Sequence, residues 1–296
     1  MPEINLQVER SLLQKAVRRG SVEVVEKTVK YLLSQKDSSW LHKRLPVMIY
    51  EECWPLGNQI TNGNILNQYV RLAQTVKNKD AAGLATLAMN YYNRDRKALR
   101  GDDDQRTAIT SVKNAIDNPA VFWEWARSRG KKQIARIDAA RAALPKANFE
   151  TDKMMMFAAA YFAAKDLVPL TSLTTQQQNP GDFPYWIAFD KHTEIGREII
   201  EAAAKEIDIY LSRAMRIAFY FEGTVCNEMT ISPYWQLAKD WQIERMNYTY
   251  SKANMIWDQL KPIIIKKAQT EADELKERIN NGSTGSDSND QLGLGV

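Results

Sequence analysis

The sequence has 296 residues, 44% hydrophobic and 26% charged, with a formal net charge of +4. These proportions suit a soluble globular chain with a substantial core; no apolar run is long enough to span a bilayer, and Met1-Pro-Glu-Ile-Asn-Leu-Gln-Val8 lacks a signal peptide's basic and apolar regions. Two cysteines far apart, Cys53 and Cys226, make no disulfide framework, so a reducing cytoplasm and no membrane partner are expected.

Helical periodicity dominates the chain. Leu12, Leu13, Ala16 and Val17 share one helix face, and Gly20 is a stop. Ser21 can cap a second helix whose Val24, Val25, Val29, Leu32 and Leu33 point one way. Asp37-Ser38-Ser39 caps a third, which Pro46 should kink or break. Further helices are expected over 64–78, 80–99, 103–117, 119–129, 131–143 and 150–167, with Asp80 and Asn118-Pro119 as start signals. Met154-Met155-Met156-Phe157 and the alanines after it predict a segment buried on most of its circumference, packing core rather than a cofactor box. Residues 168–190, with Pro169, Pro180 and Pro184, form an irregular segment of the kind that serves as a lid or covering arm. A long helix is expected from His192 to Phe221, another from Pro233 to Asn247, and a last one from Ser251 to Asn280 with a kink at Pro262. No strand alternation and no internal repeat is seen, so the fold class is all-α: a helical body over 1–280 and a tail over 281–296.

The opening carries a more specific pattern. Ser11-Leu-Leu-Gln-Lys-Ala-Val-Arg-Arg-Gly-Ser-Val-Glu23 is followed by Tyr31-Leu-Leu33, His42-Lys-Arg-Leu45 and Glu51-Glu52. That order resembles the C-terminal helical domain of the AAA+ ATPases that maintain genome stability at replication forks, a domain related to the clamp-loader collar. The resemblance covers about the first 55 residues. It departs at the family's Glu-Asp-x-Gly signature, here Glu51-Glu52 with Gly57 displaced by Cys53-Trp-Pro-Leu56. It implies a collar-like bundle that assembles side by side, as a homo-oligomer or with clamp-loader ATPase subunits. The 13 glycines offer no Gly-x-x-x-x-Gly-Lys-Ser/Thr phosphate loop, Gly130-Lys131-Lys132 being the nearest approach, so no intrinsic ATPase is expected.

The residues with chemical potential are few. His42, Cys53, His192 and Cys226 have no zinc-ligand spacing, and Asp102-Asp103-Asp104 reads better as a helix-capping turn than as a magnesium site, so neither metal nor cofactor is expected. His192, within Phe189-Asp-Lys-His-Thr-Glu-Ile-Gly-Arg197, is the most enzyme-like cluster; the alternative role for Asp190 or Thr193 is a helix cap, with His192 a hydrogen-bonded packing residue. Arg127, Arg129, Lys131, Lys132, Arg136 and Arg141 face the single acid Asp138 just after Trp123 and Trp125, the combination that attracts phosphate and stacks on unpaired bases. Lys15, Arg18 and Arg19 form a secondary basic patch.

The chain closes on Asn281-Gly-Ser-Thr-Gly-Ser-Asp-Ser-Asn-Asp290, a composition that predicts a flexible tether, and then on Gln291-Leu-Gly-Leu-Gly-Val296. The hexapeptide resembles the sliding-clamp-binding peptide of bacterial replication proteins, most of all the one that ends the Y-family translesion polymerase. That resemblance implies a polar site for Gln291 and apolar pockets for Leu292, Leu294 and Val296, with Gly295-Val296 a weaker anchor than the Leu-Phe of stronger peptides. The sequence therefore points to a non-enzymatic replication or repair accessory protein: a clamp-loader-like subunit or adaptor, of the kind a bacteriophage encodes, that binds the sliding clamp and DNA. The competing expectation is a helical hydrolase or nuclease built around His192 and the 168–190 segment.

Overall fold

The computed structural model describes residues 5–60, 63–167, 174–175 and 182–282. Among them the chain is all-α, with thirteen α-helices and only isolated bridges between extended residues. In chain order these are α1 (Gln7–Arg19), α2 (Val22–Ser34), α3 (Ser38–Cys53), α4 (Ile65–Gln74), α5 (Asp80–Tyr92), α6 (Asp103–Asp117), α7 (Pro119–Arg129), α8 (Ile134–Ala143), α9 (Glu150–Ala164), α10 (Glu194–Glu206), α11 (Leu211–Ala218), α12 (Pro233–Arg245) and α13 (Tyr250–Gly282).

Local chemistry sets many of the ends. Gly20 adopts a left-handed conformation (φ 68°) and its N–H returns to the last turn of α1, the stop expected of a glycine there. Asp102 and Gln105 form a reciprocal capping box at the start of α6, and Pro119 opens α7. Other starts are built differently from expectation. Ser21 and Asp37 occupy cap positions without a side-chain capping bond, and Asp37 instead pairs with Arg10 at 2.7 Å. Asp80 does not cap its own helix: Asn78 Oδ1 accepts the Asp80 N–H, while Asp80 Oδ1 accepts the Tyr234 N–H at the head of α12.

Two hydrophobic clusters share α3. Leu41, Leu45, Met48 and Ile49 face the first, with α1, α2, α4, α10 and α13; Val47 and Tyr50 face the second, with α5 to α9 and α12. Within the second, α9 is buried from Met154 through Ala164, all round its circumference, against α3, α5, α6, α7 and α8. The Met-Phe-Ala run is core, as its composition predicts. Connector Thr75–Lys79 threads between the clusters, bridged to Cys53, Thr175 and Met229.

The internal prolines do not end their helices, and two boundaries differ from expectation. α3 runs unbroken through Pro46 and α13 through Pro262. The carbonyls these prolines orphan belong to exposed residues, His42 and Asp258, where water can satisfy them. The long helix expected from His192 to Phe221 is three pieces: α10, a turn with Asp208 at φ 51°, then α11 running into a π-helical turn, Phe219–Gly223. α13 continues through Gly282, into the stretch that composition assigns to the tail.

Asp80 carries a pH-dependent consequence. Burial outweighs its hydrogen bonds from the α12 head and pushes its carboxyl up to about 7. Below the ordinary carboxylate range Asp80 is protonated whether the chain is folded or not. As pH rises toward 7 the unfolded chain ionises first, so this residue's contribution to stability falls, and above 7 a buried carboxylate is carried at a cost. Asp80→Asn keeps an acceptor and removes the charge. We expect it to stabilise the protein by roughly 1–3 kcal/mol at pH 8 and to have little effect at pH 4, as read from denaturant midpoints at both values.

Candidate functional site

The clamp-binding candidates Gln291, Leu292, Leu294 and Val296 lie outside the described residues, as do 168–173 and 176–181 of the Pro-rich segment. The other predicted sites can each be placed.

At the corner made by α7, a 3-10 turn at Lys131–Gln133 and α8, the side chains of Arg127, Arg129, Lys131, Lys132 and Arg141 are exposed. Arg127 pairs with Asp138 at 3.3 Å. Arg136 differs from the rest: it is half-buried and donates to the Pro55 carbonyl at 3.2 Å and to Gln133, which fixes the corner to the end of α3. The two tryptophans are engaged in the protein's own packing to different degrees. Trp123 is buried, and Trp125 is stacked on Tyr161 with ring centroids 5.6 Å apart. The corner offers exposed cations with only the half-buried Trp125 as a neighbouring ring.

The expected patch at Lys15, Arg18 and Arg19 is not a surface at all; all three side chains are buried. Arg18 sends Nε to Glu52 Oε1 at 2.7 Å, Nη2 to Glu51 Oε1 at 2.8 Å and Nη1 to the Gly223 carbonyl. Glu52 also accepts from Lys79 at 3.0 Å, and Glu51 from Arg44 at 3.2 Å; Arg44 in turn reaches Asp152 at 3.2 Å. The result is an alternating seam, Asp152–Arg44–Glu51–Arg18–Glu52–Lys79, in which three cations match three carboxylates. It ends with the Lys79 ammonium 4.9 Å from the Trp235 ring centroid. Burial alone would raise the Glu52 pKa, but Arg18 and Lys79 outweigh it and hold it at about 2. A parallel pair joins Arg19 to Glu222 at 2.7 Å, with Lys261 at 3.4 Å on the other oxygen. Nearby, Lys77 is fully buried and donates to the carbonyls of Leu72, Ala73 and Thr75, closing the end of α4. Its desolvated ammonium is lowered to about 8, yet with three acceptors around it the lysine works as a helix terminator rather than a nucleophile.

His192 stands beside a polar cluster that borders a cleft. Asp190 Oδ2 lies 2.5 Å from the buried Lys15 ammonium and 3.1 Å from His192 Nδ1, while Oδ1 accepts the His192 N–H. Burial pushes the Asp190 carboxyl upward, but Lys15 and His192 overcome it and hold it well below the usual carboxylate range. Thr193 Oγ1 accepts the Gly196 N–H and is the N-cap of α10. The cap role therefore falls to Thr193, and Asp190 anchors the turn before it to α1. The His192 ring is 61% exposed and meets Phe219 edge-on at 5.9 Å. The cleft holds about 360 Å³ of non-atom space, part of it open to solvent. Its floor is apolar, with Trp186, Phe189, Phe219 and Trp257, and Asp190, Lys191 and Glu222 supply polar edges. Lys191 Nζ lies 3.8 Å over the Phe219 ring. Asp190 thus holds His192 Nδ1 in the manner of a general-base dyad, but among the described residues the ring bonds no hydroxyl or thiol nucleophile.

The sequence reading missed one surface. Tyr210, 73% exposed, lies at the head of α11 beside Arg213, whose guanidinium sits 5.3 Å from the Tyr210 ring centroid and 5.2 Å from that of Tyr248. A continuous helix over 192–221 hides this arrangement; the run Tyr210-Leu-Ser-Arg213 is the sole local signal.

No family model matches the chain, and neither a curated protein nor a solved structure does.

Proposed function

We propose that the chain is a non-enzymatic accessory protein of DNA replication or repair, a clamp-loader-like subunit or adaptor. Its C-terminal peptide binds the sliding clamp through Gln291, Leu292, Leu294 and Val296, and its basic corner meets DNA phosphate. One contrast supports this over catalysis. Asp152, Arg44, Glu51, Arg18, Glu52 and Lys79 are committed to one another in the seam, whereas Arg129, Lys131, Lys132 and Arg141 at the corner face solvent without a carboxylate partner among the described residues. The collar-like opening and the clamp-peptide pattern support the same reading from the sequence.

The test is capture of the full chain on an immobilised bacterial sliding clamp, beside a chain ending at Asp290. Capture should be lost in the shorter chain, with its melting temperature unchanged. Burying one leucine side chain is worth roughly 1.5–3 kcal/mol, so Leu292→Ala and Leu294→Ala should each weaken binding about tenfold or more. If the full chain ignores the clamp at high micromolar concentration, the adaptor reading fails. The competing hydrolase or nuclease reading draws support from the Asp190–His192 bond beside the cleft. It requires a hydrolytic activity of the purified chain that His192→Ala abolishes.

A further inference from the structure

We infer that the surface formed by Tyr210, Arg213, Arg216 and Tyr248 is a binding site for single-stranded nucleic acid, with Tyr210 as the stacking platform and the arginines as phosphate contacts. The inference goes beyond the proposed function by assigning a second nucleic-acid surface and the form of strand it takes.

The arrangement begins with chain geometry. The turn at Asp208 ends α10 and lets α11 start at Leu211, which leaves Tyr210 at the exposed head of the new helix. Arg213 and Arg216 lie one turn apart on α11 and so share a face. Arg213 is held between two tyrosine rings, with Nη1 3.2 Å from the Tyr248 hydroxyl. A guanidinium fixed in this way loses little side-chain freedom on meeting a ligand. Arg216 lies close enough to Arg245 for the two to repel, and Arg245 is drawn to Asp95 only at 3.8 Å. Neither Arg213 nor Arg216 pairs with a carboxylate among the described residues. Over 208–216 and 245–255 the cations are Arg213, Arg216, Arg245 and Lys252 against one acid, Asp208. Glu244, which precedes the second stretch, is taken by Arg100 at 2.8 Å.

Exposed tyrosine costs solvation unless something covers it, and uncompensated arginines repel one another unless an anion arrives. A strand of unpaired bases answers both, because each nucleotide brings a π-face and a phosphate. Duplex DNA brings phosphates but keeps its bases stacked away from Tyr210. The α7–α8 corner differs, with exposed cations and only the half-buried Trp125 ring beside them.

Fluorescence anisotropy of a labelled oligothymidylate, titrated with the full chain across a salt series, tests this. Tyr210→Ala should weaken binding about tenfold with the salt slope unchanged, and Tyr210→Phe should restore it. Arg213→Ala and Arg216→Ala should each lower affinity and flatten the slope by about 0.7. Tyr210 is largely exposed, so its removal leaves the core intact; melting curves of each variant verify this. Lys131→Ala/Lys132→Ala, measured on the same probe and on a duplex, separates this surface from the corner. If the corner variant weakens binding while the α11 variants match wild type, the inference is wrong and the earlier proposal stands. If the α11 variants fail on the oligonucleotide and the corner variant binds normally, the inference holds and the corner loses its role. Failure of wild type to bind oligothymidylate overturns the inference, as does binding of a poly-glutamate peptide that Tyr210→Ala weakens while no oligonucleotide binds.

Discussion

Glu52→Ala should cost about 3–5 kcal/mol of folding stability, because it leaves the buried Lys79 ammonium without a carboxylate and removes one of the two that Arg18 holds. Glu52 is 1% exposed, as is the Lys79 side chain, and Arg18 is 2% exposed. A surface ion pair would contribute less than about 1 kcal/mol, so the size of the loss separates a structural seam from decorative charge. Glu52→Gln should cost less, since an amide oxygen still accepts one of the two donors. The same pairing predicts the acid limb of stability. The unfolded chain protonates Glu52 near 4.5 and the folded chain only near 2. The contribution is therefore complete above 4.5 and is lost as pH falls toward 2, where the folded carboxylate finally takes up a proton. Asp190, held lower still by Lys15 and His192, acts in the same direction. Wild type should lose stability steadily below pH 4.5, and Glu52→Gln should show a flatter decline. Thermal melts between pH 7 and pH 3 measure both effects, and a Glu52→Ala protein that melts like wild type would contradict the role given to the seam.

The seam also marks where sequence reasoning stops. The α6 and α7 ends were readable because their signals are local: a capping box four residues long and a proline at the first helical position. The all-round burial of α9 was readable because no polar stripe interrupts Met154–Ala164. Arg18 and Arg19, by contrast, look like the polar edge of an amphipathic helix, and only tertiary contact shows otherwise. Their partners come from 33, 34 and 203 residues away. The one local hint is the pair Glu51-Glu52 set between Ile49 and Trp54, acids in an apolar stretch that demand buried cations. The break at Asp208 was invisible for a related reason. Neither glycine nor proline marks it, and a non-glycine residue is held at positive φ by the packing of α10 and α11 on α13. Missing that break concealed the Tyr210 surface as well. Pro46 and Pro262 are strong local breakers, yet within packed helices neither proline ends its helix.

Gly83→Ala is expected to destabilise the protein by about 3 kcal/mol, against the sign that helix propensity gives. In the interior of α5 alanine is favoured over glycine by about 1 kcal/mol. A Cβ at this position, however, would stand 2.3 Å from the backbone nitrogen of Trp235 and 2.4 Å from the carbonyl carbon of Tyr234. These are atoms of the α12 backbone, so no rotamer change relieves the contact and the helix head itself must shift. That head is where Asp80 Oδ1, one turn earlier on α5, accepts the Tyr234 N–H at 3.1 Å. Movement of α12 would stretch that bond and open the packing of α5 against α12, so overpacking and a strained cap act together. Gly223→Ala provides the internal control. Its Cβ would meet nothing nearer than Phe219 Cδ2 at 3.4 Å and Lys15 Cε at 3.8 Å, both side-chain atoms that can yield. That variant should melt close to wild type. Denaturant midpoints of the two proteins should therefore differ widely although the chemical change is the same methyl group, and a Gly83→Ala midpoint at or above wild type would show that α5 and α12 do not approach so closely.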